Sequence, residues 1–160
     1  MLAYAVLKTI HVLAVIMFVG NITVGIFWKT FADGTHDPRI MAHTLRGITQ
    51  SDRWFTIPGI ILLVIAGVST AMIGGIPILH TGWILWSLVL FIIAGIAFGP
   101  VARAQRQMEA LARAAVDGGT FDGAAYAKLS QSWNVAGMIA LIGPLLAVIL
   151  MVAKPALPAF

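Results

Sequence analysis

Cysteine is absent from this 160-residue chain, so disulfides, thiolate metal sites and cysteine nucleophiles are all excluded. Charge is scarce: 10% of residues are charged against 60% hydrophobic, where a soluble domain carries roughly 25% charged residues. A soluble globular domain is therefore excluded. The catalytic fingerprints G-x-x-x-x-G-K-[ST], G-x-S-x-G and H-E-x-x-H are missing, as is the dinucleotide glycine pattern. No basic stretch precedes the first apolar run and no small-x-small site follows it, so that run is expected to be a retained helix rather than a signal peptide. No 20–50-residue period repeats.

What is present is apolar length. Four blocks, approximately 2–28, 54–79, 83–103 and 133–153, are long enough to cross a bilayer. The expected fold is all-α, an up-and-down bundle of four transmembrane helices forming one integral membrane domain over 1–160. The formal net charge of +4 is distributed asymmetrically. Lys29, Arg39, Arg46 and Arg53 lie between the first two blocks, and Arg103, Arg106, Arg113 and Lys128 between the last two. The segment around Pro77–Gly82 has no charge. By the positive-inside rule, loops 29–53 and 104–132 are cytoplasmic and both termini periplasmic. The basicity thus orients the protein in the bacterial inner membrane, and no nucleic-acid partner is expected. The five tryptophans, at 28, 54, 83, 86 and 133, all fall near predicted span edges, where amphipathic rings settle.

Local signals sharpen the loops. Asp37-Pro38 reads as a cap with a first-turn proline, opening a short amphipathic helix on the inner surface. Ser51 or Asp52 is expected to cap the second span, and Thr81 the third. The third helix should continue past Pro100 to Gly118-Gly119, Asp122 should restart a helix, and Lys154-Pro155 should stop the last. Gly95-x-x-x-Gly99 is expected to pack helices within the bundle. A homodimer through that glycine face is the expected oligomer.

Ionisable residues inside spans are functional candidates. Lys8 and His11 share one face of the first helix, three residues apart, with Phe18 and Gly25 continuing it. At about 1.5 Å per residue, His11 lies roughly 12 Å in from Ala3, in the outer half of the hydrocarbon. Neutral imidazole ligates metal or haem iron, and Lys8, one turn outward, can meet a haem propionate or a quinone head group. The alternative is a histidine hydrogen-bonded to a neighbouring helix. His80, at the outer end of the second span, is the candidate second ligand, with Met72 and Met151 at similar depth. His36 and His43 lie in the inner loop, at another level. No predicted span holds an acidic residue, which argues against a carrier built on an intramembrane carboxylate. Asn21 is expected to make an interhelical hydrogen bond.

Lys8-x-x-His11 in the first span, Arg53-Trp54-Phe55, Thr81-Gly82-Trp83 and the closing Leu150-Met151-Val152-x-Lys154-Pro155 together resemble a bacterial family of four-helix integral membrane proteins of the DUF2269 type. More distantly, K-x-x-H and the terminal V-x-K-P are similar to protoporphyrinogen oxidases of the HemJ type and to the copper-resistance D-type membrane domain. The oxidase resemblance implies a haem-b bundle with redox chemistry on a porphyrinogen or quinone, His11 as iron ligand and Lys8 beside it. Those oxidases carry lysine and histidine in their third span, and 83–101 has neither. The expected function is accordingly a b-type haem redox or electron-transfer protein working with quinone or an outer-side oxidant. The alternative is a non-catalytic copper-handling or assembly module without haem.

Overall fold

A computed structural model describes residues 1–159. The described residues form helices α1 (Leu2–Thr35), α2 (Pro38–Ser51), α3 (Ile57–Ile73), α4 (Gly82–Val116) and α5 (Gly123–Ala153), with a π-helical turn, Asp52–Thr56, between α2 and α3. No strand is present among them. Counting α2 through α3 as one continuous segment, four helices are long and apolar enough to cross a membrane.

Helix ends follow local chemistry. Asp37 caps α2 by accepting from the Arg39 amide, with Pro38 in the first turn, and Asp122 caps α5 by accepting from Ala125. α3 closes on a left-handed Gly75, with Gly75 N–H donating to Met72 and Ile76 N–H to Ala71. α4 repeats this closure at Gly118, where Gly119 donates to Ala114. Both are Schellman closures, in which a left-handed glycine lets orphan carbonyls find donors. Lys154 ends α5 in the left-handed region ahead of Pro155.

Two expected caps are corrected. Thr81 stands before α4, but its hydroxyl donates to the Pro77 carbonyl instead of accepting from the helix. Ser51 and Asp52 start no helix, because α2 runs on into α3. Pro58 explains the join: it lacks an amide donor and its ring collides with the carbonyl four residues back. The π-turn widens the backbone just there, with Ile57 N–H reaching the Asp52 carbonyl.

The helices pair as two antiparallel hairpins, α1 with α3 and α4 with α5. Knobs on α1 enter glycine notches on α3: Phe18 and Met17 meet Gly59, His11 meets Gly67, and Tyr4 meets Gly74. In the other hairpin Gly143 lies against the Leu90 carbonyl of α4. Helix α2 packs on α4 and α1 at the end remote from the termini, where Met41, Leu45, Met108, Ala112 and Tyr126 form the core. No Cα of α3 comes within 8 Å of α4 or α5 among the described residues, and α1 meets α4 through the Phe18 and Phe91 rings, 5.8 Å apart. The tail folds back over the start of α4, with the Trp86 indole donating to Pro158 and Lys154 lying over Trp83.

Gly95 and Gly99 are exposed, with nothing within 4 Å of a Cβ built at either. Their G-x-x-x-G therefore packs no helix within the chain, contrary to expectation. The α4 face that meets α5 is a different one, carrying Ser87, Leu90 and Ala94.

Candidate functional site

His11 lies on the same face of α1 as the buried Ala14, Phe18 and Gly25, because residues three, seven and fourteen apart stack along one helical stripe. Its Nδ1 lies 2.9 Å from the Leu63 carbonyl of α3. A carbonyl only accepts, so Nδ1 carries the proton, and in the neutral ring Nε2 carries the lone pair. Gly67 makes this position possible: a Cβ there would fall 2.8 Å from Cε1 and 2.9 Å from Nδ1 of His11. Nε2 makes no hydrogen bond among the described residues and is not sealed from the surface. A histidine pinned through one nitrogen by a backbone carbonyl, with the other left basic, is the usual posture of a metal-ligating imidazole. The Nδ1–Leu63 contact is the hydrogen bond to a neighbouring helix that the sequence offered as the alternative to ligation, and it leaves Nε2 without a hydrogen bond among the described residues.

The other predicted site residues are placed apart from it. Lys8 is exposed on the first helix, one turn towards the terminal end. His80 is exposed in the loop after α3. Tyr4 lies level with Gly74 and His11 level with Gly67, so His11 is about 10 Å deeper at 1.5 Å per residue. His80, beyond Gly74, belongs to the shallower level, and the structure does not bring it to His11. Met72 is 72% exposed. No group of three or more His, Cys, Asp or Glu is disposed to hold a metal among the described residues.

A second polar centre occupies the α2 end, and sequence reasoning assigned most of it to loops. Lys29, expected among the loop cations, is 1% exposed. Its Nζ pairs with Asp33 at 2.6 Å, donates to Ser130 and to Asn134, and lies 5.0 Å over the Trp133 ring. Asp33 also accepts from Tyr126 at 2.7 Å and from Ser130. Trp133, expected at the interface, is instead 3% exposed and donates to the Gln105 carbonyl oxygen.

Gln105 carries the network onward, donating to Thr49 and to Asp52. Asp52 accepts further bonds from Thr56 and Asn21, and Asn21 also donates to Thr56 at 2.8 Å. Asn21 therefore does make the expected interhelical bond. Asp52, just before the predicted span 54–79, lies part-buried on the continuous helix 38–73 and is hydrogen-bonded to Asn21 of α1 and Gln105 of α4. Every buried polar side-chain atom among the described residues has a partner, as burial in so apolar a molecule requires. One sequence signal pointed here. Lys29 and Asp33 are four residues apart, on the stripe that continues Gly25.

A family model described as predicted integral membrane protein (DUF2269) matches residues 5–155. No curated protein and no solved structure matches the chain. The match covers nearly the whole sequence, and the chain belongs to this family of predicted integral membrane proteins.

Proposed function

We propose that this DUF2269 protein is a b-type haem-binding redox protein of the bacterial inner membrane, with His11 ligating the iron through Nε2. The observation that supports the reading is the Nδ1–Leu63 hydrogen bond at 2.9 Å, which leaves Nε2 as the basic nitrogen. Haem, when bound, supplies reversible one-electron chemistry. The chain's own part is to hold the ring. Leu63 sets the tautomer and Gly67 admits the imidazole. Lys8, exposed one turn towards the termini, is the cation for a propionate or for the head group of a quinone acting as electron partner. His80 lies beyond Gly74 in the chain, outside the α1–α3 contact that seats His11. The exposed Gly95–Gly99 face is the surface on which a homodimer would close.

The test is spectroscopic. Detergent-purified protein from haem-replete cells is expected to show a Soret band that shifts on dithionite reduction, and His11→Ala to lose it. Colourless, well-folded wild-type protein refutes the reading and leaves the copper-handling or assembly module as its successor. Copper binding to the same protein is then the next measurement.

A further inference from the structure

Asp52 differs from the other acid of the polar centre. Asp33 has the Lys29 ammonium at 2.6 Å, whereas no cation pairs with Asp52 among the described residues. Its neighbours are neutral on every side: Asn21 from α1, Thr49 and Thr56 from its own helix, and Gln105 from α4. From α5, the Trp133 indole donates to the side-chain oxygen of Gln105, the same residue that donates to Asp52. Of the cations closest along these helices, Arg46, Arg53, Arg103 and Arg106 are exposed, and Lys29 is paired with Asp33.

The two oxygens are unequally held. Oδ1 accepts from Thr56 at 2.8 Å and from Asn21 at 3.3 Å, while Oδ2 has one long contact from Gln105 at 3.4 Å. A proton can therefore settle on Oδ2 without disturbing the short Oδ1 bond. The side chain is only part-buried, and the adjoining Gln50 and Arg53 are exposed, so water at the α2 end has access. The shell also disfavours a metal cation, because Asn21 and Gln105 turn their N–H groups, not their carbonyls, towards the carboxylate. A π-turn in such a position is a frequent mark of function, and an unpaired acid within a membrane bundle has the same standing.

We propose that Asp52 is a proton-binding site, exchanging a proton on Oδ2 with the aqueous phase at the α2 end. Neutralising Oδ2 weakens its acceptance from Gln105 and so loosens the tie between α4 and the α2–α3 segment. The site is independent of whether His11 holds iron.

Dicyclohexylcarbodiimide modifies protonated carboxyls in apolar surroundings, which makes the wild-type protein its own test. Purified full-length protein is treated with the reagent across a pH series, and the modified residues are mapped by mass spectrometry. Asp52 is expected to be labelled at low pH, with labelling falling about tenfold per pH unit above its midpoint. Asp33, paired with the Lys29 ammonium at 2.6 Å, is expected to stay unlabelled. In parallel, infrared spectra should show a carboxylic-acid carbonyl band that fades over the same pH interval and is absent from Asp52→Asn. Absence of Asp52 labelling at every pH, or equal labelling of Asp33, overturns the proposal. Protection of Asp52 by sodium at constant pH also overturns it, in favour of a metal cation.

Discussion

Adding one methyl group at Gly67 probes the His11 seat most directly. The new Cβ would lie 2.8 Å from Cε1 and 2.9 Å from Nδ1 of His11. Carbon atoms rest about 3.5–4.0 Å apart, so the ring must retreat by about 0.7 Å. A retreat of that size stretches the 2.9 Å bond to Leu63 to about 3.6 Å, at which no hydrogen bond survives. Losing the bond costs about 1 kcal/mol of stability, and losing an outer-shell partner costs about 10–100-fold in metal affinity. Gly67→Ala is therefore expected to keep its fold, melt slightly earlier, and bind haem about 10–100-fold more weakly in a Soret titration. Gly59→Ala is the control: its nearest neighbour is the Met17 methyl at 3.2 Å, and a flexible thioether can swing aside. Selective ¹⁵N labelling of histidine reads the Nδ1–H tautomer of His11 without haem and should report its loss in the variant. If Gly67→Ala retains wild-type haem affinity, tautomer and melting temperature, the ring is not seated as described and the argument fails.

Other substitutions separate packing from decoration. Gly143→Ala places a Cβ 2.9 Å from the Leu90 carbonyl, backbone that cannot yield; it is expected to cost about 1–3 kcal/mol. Gly95→Ala and Gly99→Ala, which meet nothing, should leave the melting temperature of the monomer unchanged. Lys29→Met strands Asp33 without its cation, and removing one partner of a buried pair costs about 3–5 kcal/mol; Asp33 is 26% exposed, so the lower end is expected in detergent melts. Lys29→Met with Asp33→Leu should recover part of that loss, and no recovery would mean the pair is not coupled. For orientation, a reporter fused after Phe160 should read as periplasmic and one inserted near Gly118 as cytoplasmic; the reverse pattern inverts the assignment of sides.

Much of the helical plan could be read directly because its causes are local. Asp37-Pro38, Gly118-Gly119, Asp122 and Lys154-Pro155 each act within a turn of their own position, and each ends or starts a helix where expected. Ser51, Asp52 and Thr81 misled for a matching reason: all three are residues that cap, but their side chains found other acceptors or donors. Trp133 misled because its position near a hydrophobic edge said nothing about which face it occupied. That face turns towards Gln105.

His11 announced itself in the sequence because an imidazole inside a long apolar run contrasts with everything near it. Its partner did not, since Leu63 contributes a backbone carbonyl and Gly67 contributes empty space. The Lys29 and Asp52 centres were hidden for another reason. Charged residues beside loops read as solvated, and only their partners, up to 105 positions away, draw them inward.

Hydrophobic length, charge placement and capping chemistry are properties of short stretches, so the chain alone determined that it makes four apolar helices and where most of them stop. Which side chains meet depends on rotation and register between helices, and these follow from the whole set of packed surfaces. The pairing of helices into two hairpins, the Gly67 notch and the neutral shell around Asp52 were therefore decided by the tertiary structure.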